Sequence, residues 1–200
     1  MNYFFLVGKL KWLKRSGWLE RKTPDPESVA EHIFRVAMIC FIVAPLLRLN
    51  REKLVMMALF HDFAEGIFGN PISEGLTKET AIRYIDYNKF EKVNSINFKT
   101  KEQERFMKQL AKNLNLPEIY KLWKEHSFEN SKNATVYSDI LFQIGKLANI
   151  IQALEYQMRG VPEKLLKGFW VSGDVYVKNR LLKNILYELK KIESKKRLIL

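Results

Sequence analysis

Apolar residues recur every three or four positions along most of the chain, which is the period of an amphipathic helix. The predicted helices are Phe4–Lys14, Ser28–Leu49, Arg51–Glu65, Thr77–Val93, Lys101–Leu114, Pro117–His126, Ala134–Arg159 and Val175–Lys191. Residues 16–27, which include Gly17, Pro24 and Pro26, are predicted to form a loop. Since no segment shows strong strand alternation, we expect an all-α helical bundle.

The second predicted helix has a clear start signal. Ser28 and Glu31 have the spacing of a capping box, in which the hydroxyl accepts the Glu31 amide and the carboxylate accepts the Ser28 amide. The most apolar run, Ile33–Leu47, follows directly but contains Arg35 and Pro45. Because about 20 apolar residues are needed to cross a bilayer, we interpret this run as a buried core helix. A cytoplasmic protein with no membrane partner is expected.

The composition is that of a folded globular domain. Of the 200 residues 47% are hydrophobic, and only 15 are Gly or Pro, which excludes collagen-like and disordered chains. The one cysteine, Cys40, excludes an internal disulfide and a CxxC zinc site. We expect a single domain over residues 1–200, with a core at about 1–160 and a C-terminal helix at about 174–194.

The formal net charge of +12 is the strongest compositional signal. Such a charge favours an anionic partner, which could be nucleic acid, a membrane surface or a phosphorylated small molecule. It could equally serve solubility alone. Because the basic residues are dispersed and the chain contains no nucleic-acid recognition motif, nucleic-acid binding ranks last among the candidate functions of this chain, behind the two considered below.

Histidines and carboxylates mark two of the predicted helices. His32 lies in the first turn of the second helix, and His61, Asp62 and Glu65 end the third helix after the apolar run LVMMALF. Imidazoles and carboxylates together suit Mn, Fe, Co or Zn. Each of these side chains could by itself be structural or solvated, but their density favours a site, since burying them unpaired would be costly. His126 lies in a polar stretch and is interpreted as a surface residue.

Four ordered segments resemble the HD-domain superfamily of metal-dependent phosphohydrolases, and more narrowly its 5′-deoxynucleotidase branch and the archaeal relatives of that branch. The segments are Ser16-Gly17-Trp18, Pro26–His32, His61–Glu65, and Gly145-Lys146-Leu147 with Gln152–Tyr156. The resemblance spans roughly residues 1–190. It implies an HD-type helical bundle around one divalent metal ion (Mn, Co, Fe, Mg or Zn), and a homodimer.

The same resemblance implies roles for seven side chains. They are the metal ligands His32, His61 and Asp62, the catalytic Glu65, and the substrate-binding residues Arg15, Arg21 and Asn70. The metal would polarise the phosphate and activate a water, while the glutamate would handle protons. The arginines are candidates for holding the phosphate, because guanidinium matches its geometry. The implied substrate is a small phosphorylated nucleoside.

Two positions depart from the family pattern. Gly145 stands where the family has its fourth ligand, an aspartate, and Asn70 stands where the family has a second aspartate. Two functions therefore remain open. The first is a phosphohydrolase that releases phosphate from (deoxy)nucleoside 5′-monophosphates or similar small phosphates. The alternative is a degenerate HD-domain protein with weakened or lost metal binding, acting in nucleotide binding or protein interaction.

Overall fold

The computed structural model describes residues 3–64, 94–127 and 132–197. Within these ranges the chain forms helices, and its only strand-like pairing is an isolated antiparallel bridge between Lys14 and Ser28. The helices are α1 (Tyr3–Lys9), α2 (Ser16–Leu19), α3 (Val29–Leu46), α4 (Arg51–Phe60), α5 (Asn94–Leu114), α6 (Pro117–His126), α7 (Val136–Met158), α8 (Glu163–Tyr176) and α9 (Arg180–Arg197). The all-α prediction is confirmed.

Several predicted helices agree with the observed ones to within a few residues. This holds for α3, α6 and α7, and α4 starts where predicted but ends at Phe60, with turns at residues 61–64. The first helix ends at Lys9 rather than at Lys14, and α5 begins earlier than predicted, at Asn94. The helix predicted over Thr77–Val93 lies outside the described residues.

Two predictions were wrong. The segment 16–27 is not wholly a loop, because α2 forms a single helical turn within it, and α8 occupies residues 163–176, where the sequence pattern predicts no helix. Gly168 and Gly173 weaken the helical signal of α8, since glycine lowers helix propensity. Packing supplies the missing stability: α8 lies against α7, where Gly173 faces Ile150. The last helix accordingly begins at Arg180 instead of Val175.

Helix α3 is central to the core. It begins at the predicted capping box, with the Ser28 hydroxyl accepting the Glu31 amide and the Glu31 carboxylate accepting the Ser28 amide. Its inner face packs against α4 and α7, burying Val36 and Cys40. By length and composition this helix could cross a membrane, but here its inner face forms part of the folded core.

The segment between α1 and α3 is tied to the start of α3 by backbone hydrogen bonds. The Arg15 amide donates to the Glu27 carbonyl at 2.9 Å, and the Val29 amide donates to the Leu13 carbonyl at 2.9 Å. A second apolar cluster, which includes Leu10 and Trp123, packs beside this region. These bonds place the Arg15 side chain next to the first turn of α3.

Candidate metal centre

Three of the predicted ligands converge. His32, buried to 3% exposure, lies in the first turn of α3, while His61 and Asp62 directly follow α4. One donor atom from each of the three lies within 4.8 Å of the others. Asp62 Oδ2 is 3.2 Å from His61 Nε2 and 3.8 Å from His32 Nε2. Because α3 and α4 pack together, two imidazoles and a carboxylate share one pocket.

The orientation of the His61 ring is fixed by the end of its own helix. His61 Nδ1 lies 2.6 Å from the Ala58 carbonyl oxygen. A carbonyl only accepts, so Nδ1 bears the proton and, in the neutral ring, Nε2 presents a lone pair towards Asp62. Two acceptors facing each other at this distance are satisfied by a cation between them, either a proton or a metal ion. This is the arrangement of a metal-ligating histidine whose other nitrogen donates to a backbone carbonyl.

Asp62 is an anion in this pocket. Burial alone would raise its pKa, but His61, His32 and Arg15 outweigh burial and hold the pKa of the Asp62 carboxyl well below its usual range. His32 shows the opposite behaviour, since burial and the Arg15 charge lower its pKa well below the ordinary value. A neutral imidazole beside a carboxylate is the protonation pattern that metal coordination requires.

Arg15 reaches the back of the His32 ring. Its Nη1 lies 2.5 Å from His32 Nδ1 and donates to Asn149 Oδ1 at 2.7 Å and to Glu27 Oε2 at 3.3 Å. An arginine can only donate, so His32 Nδ1 accepts here, and the proton of the neutral ring lies on Nε2. Metal coordination through Nε2 requires the other tautomer, with Nδ1 as the donor. Glu27 Oε2, 3.9 Å from Nδ1, is an acceptor available nearby.

The three donors therefore fit a divalent ion, provided that the contact between Arg15 and His32 changes. Two imidazoles and one carboxylate suit Mn, Fe, Co or Zn, and three protein ligands with open positions are typical of catalytic sites. Gly145 on α7 adds no ligand, and a Cβ built there meets no atom within 4 Å. For His32 to bind through Nε2, the Arg15 guanidinium must leave Nδ1.

The remaining predicted residues are placed differently. Arg21 donates to the Gly17 and Leu165 carbonyls at 2.6 and 3.0 Å and lies over the Phe169 ring, so these contacts tie α2 to α8. Glu65 and Asn70 lie outside the described residues. The structure thus brings Arg15 to His32 and within electrostatic range of Asp62, while the contacts of Arg21 with Gly17, Leu165 and Phe169 belong to helix packing.

The surface interpretation of His126 was wrong. The residue is half-buried, and its ring lies against that of His61, with 5.3 Å between ring centres and an interplanar angle of 88°. Polar neighbours in sequence concealed this position, because it arises only when α6 packs against α4. Sequence reasoning also missed Glu27 and Asn149 as partners of Arg15. A glutamate directly before a capping-box serine gave no signal of burial.

Comparison with known proteins identifies the family of this chain. Residues 7–168 match the HD domain family. The chain belongs to the HD domain family. It is 30% identical over 161 residues to the human 5′-deoxynucleotidase HDDC2, covering 78% of this chain and 68% of the human protein. A Schizosaccharomyces pombe 5′-deoxynucleotidase is 28% identical over 184 residues, covering 92% of this chain and 84% of the yeast protein.

Solved structures of similar proteins show the same fold. A conserved hypothetical protein from Pyrococcus furiosus superposes with a TM-score of 0.68 at 30% identity, covering 94% of this chain and 97% of that protein. The PH0347 protein from Pyrococcus horikoshii gives a TM-score of 0.66 at 26% identity, covering 94% and 96%. These two structures share the fold over almost the whole of this chain, and HD domains bind divalent metals.

The neutral histidines predict how the stability of the metal-free HD domain depends on pH. Burial, followed by His61, lowers the pKa of His126 to about 3, although Asp62 opposes this shift; His32 is lowered as well. In the unfolded chain a histidine takes up its proton near pH 6.5, so stability present above that pH is lost as the pH falls towards the folded pKa values. We expect the free energy of urea unfolding to fall with pH between pH 6.5 and 5, with a slope that rises to about 1.4 kcal/mol per pH unit for each such histidine.

The contribution of His126 to this pH dependence can be measured separately by substitution. In His126→Gln the slope should be shallower by up to about 1.4 kcal/mol per pH unit, whereas Lys121→Gln, at an exposed position on the same helix, should keep the original slope. Glu27, whose pKa burial raises, acts in the opposite direction in all three proteins and cancels from the comparison. Equal slopes in His126→Gln and Lys121→Gln would show that His126 is not held neutral by the fold.

Proposed function

We propose that this protein is a metal-dependent phosphohydrolase that releases phosphate from (deoxy)nucleoside 5′-monophosphates. The observation that carries the proposal is the convergence of His32, His61 and Asp62 within 4.8 Å in a chain of the HD domain family. Relatives named 5′-deoxynucleotidase support the substrate class. They favour an enzyme over a degenerate protein without turnover.

Each proposed site residue has a role that follows from its position. His32, His61 and Asp62 would hold the ion. When bound, a divalent ion supplies Lewis-acid polarisation of a phosphate oxygen and a water of lowered pKa. Arg15 is the phosphate-binding candidate, because its guanidinium lies against His32 and the geometry of a guanidinium matches that of phosphate. Glu65, three residues after Asp62, is proposed to transfer protons, and Asn70 to contact the substrate.

The assay is phosphate release from the deoxynucleoside monophosphates and from AMP, with Mn²⁺, Co²⁺ or Mg²⁺ in turn. We expect release with at least one ion, and a loss of roughly 10–100-fold or more in His61→Ala, which removes a ligand. Lys121→Gln, a surface change on α6, serves as the control and should retain activity. Release no greater than that of His61→Ala with every ion would refute the enzymatic function.

Gly145 leads to a second prediction. A side chain is tolerated there, since a Cβ meets nothing within 4 Å, and the family pattern has an aspartate at this position. We expect Gly145→Asp to tighten Mn²⁺ binding by about tenfold or more and to raise phosphate release. Both would be measured by calorimetric titration and by the same assay.

Gly145→Ala is the matched control for this change. It shares the gain in helix propensity over glycine but adds no ligand, so its metal affinity should equal that of the natural chain. If the alanine and aspartate variants bind Mn²⁺ alike, position 145 does not face the ion. Weak or absent Mn²⁺ binding by the natural chain, without phosphate release, would instead favour the degenerate protein that binds nucleotides without turnover.

We also propose a homodimer formed through the outer face of α3. Phe34, Phe41, Ile42 and Leu46 are exposed at helical spacing, the first of them to 67%. Contiguous apolar patches are uncommon on monomers, and one stripe meeting its own copy gives the self-complementary contact of a two-fold dimer.

A single buried cysteine without a disulfide is consistent with a cytoplasmic location.

Light scattering tests the dimer directly. We expect twice the 23.6 kDa chain mass for the natural protein and the single-chain mass for Phe41→Glu, because a charge in the stripe would be buried at the contact. Val136→Glu, also exposed but on α7, should stay dimeric. A natural protein that elutes as a monomer at micromolar concentration would contradict the proposal.

A further inference from the structure

The position of His126 is fixed by several contacts. Ile119 and Trp123 are buried on the inner face of α6. Lys53 Nζ of α4 lies 2.9 Å from Glu125 Oε2, and the Thr135 hydroxyl at the start of α7 donates to Glu125 Oε1 at 2.6 Å. The residue directly before His126 is therefore anchored to two other helices, which keeps the imidazole beside His61.

Ring geometry places His126 at a distance suited to a shared ion. The ring centres of His61 and His126 are 5.3 Å apart, and those of His32 and His61 are 5.5 Å apart. Two imidazoles bound to one ion through nitrogens at about 2.1 Å have their ring centres about 5 Å apart. The ring nitrogens of His126 do not belong to the donor group within 4.8 Å, so coordination requires this ring to turn about its side-chain bonds.

The donor set has room for another ligand. His32, His61 and Asp62 supply three donors, and Gly145 supplies none. We propose that His126 is a fourth protein ligand of the metal, supplying the donor that Gly145 lacks. The inference rests on the metal centre of the proposed function, and it gives this chain a site of three imidazoles and one carboxylate, a set that suits Zn, Fe or Mn.

The inference can be tested by counting the imidazoles that bind zinc, because the chain contains three histidines in all. Long-range ¹H–¹⁵N correlation of the full-length protein, titrated with Zn²⁺, resolves the two nitrogens of each imidazole. We expect one nitrogen of every histidine to take a zinc-bound shift that no longer follows pH, with the His126 signals identified by their loss in His126→Gln. Zinc-bound shifts confined to His32 and His61 would overturn the inference while leaving the metal centre intact.

Zn²⁺ affinity, measured by competition with a chelating dye, provides the second readout. We expect His126→Gln to weaken binding at least about tenfold, and Lys121→Gln to bind as the natural chain does. Unchanged affinity in His126→Gln would overturn the inference. If no imidazole of the natural chain responds to Zn²⁺, the metal centre fails together with its fourth ligand, an outcome distinct from the loss of His126 alone.

Discussion

The buried carboxylate of Glu27 is the constraint on which the site depends. At 4% exposure it accepts hydrogen bonds from Trp18 Nε1 at 3.1 Å and Arg15 Nη1 at 3.3 Å, and its amide donates to the Tyr156 hydroxyl at 2.7 Å. Burial raises the pKa of Glu27, and a buried charge is tolerated only with such partners. Because Trp18 and Arg15 come from α2 and the loop before it, the partners of the carboxylate fix these two segments beside the first turn of α3, and the bond between the Glu27 amide and Tyr156 adds α7.

The ion pair with Glu27 holds Arg15 beside His32. One guanidinium therefore both stabilises a buried carboxylate and contacts a proposed metal ligand. The same guanidinium contacts Glu27, Asn149 and His32 Nδ1. While it does so, the proton of the neutral His32 ring lies on Nε2. If His32 held an ion through Nε2, its Nδ1 would be a donor and could no longer accept from the guanidinium, so metal binding at His32 and the present position of Arg15 would exclude each other. The released guanidinium would be free for an anionic ligand at the same pocket.

The sequence predicted features that arise locally. The capping box at Ser28 and the pairing of His61 with Asp62 need only near neighbours along the chain, and both are present. Helix α8 was missed because Gly168 and Gly173 lower its intrinsic propensity, while its stability comes from packing against α7. His126 was missed for a related reason: its polar neighbours indicate a surface, and its burial against His61 exists only after α6 docks on α4. Both α8 and the burial of His126 depend on packing between residues that are distant in the sequence, so a local sequence pattern does not indicate them.

The charge of the donor set bears on the proposed chemistry. With a divalent ion, two imidazoles and one carboxylate leave a net charge of about +1, whereas an aspartate at position 145 would neutralise it. A neutral fourth donor such as His126 preserves the positive charge. Because Glu27 pairs with Arg15, the attraction would come from the ion and its donors, and the pocket would attract a phosphate dianion more strongly than a site with two carboxylates. The same attraction acts on the phosphate product, and replacing a carboxylate by imidazole would thus favour substrate capture at the expense of product release.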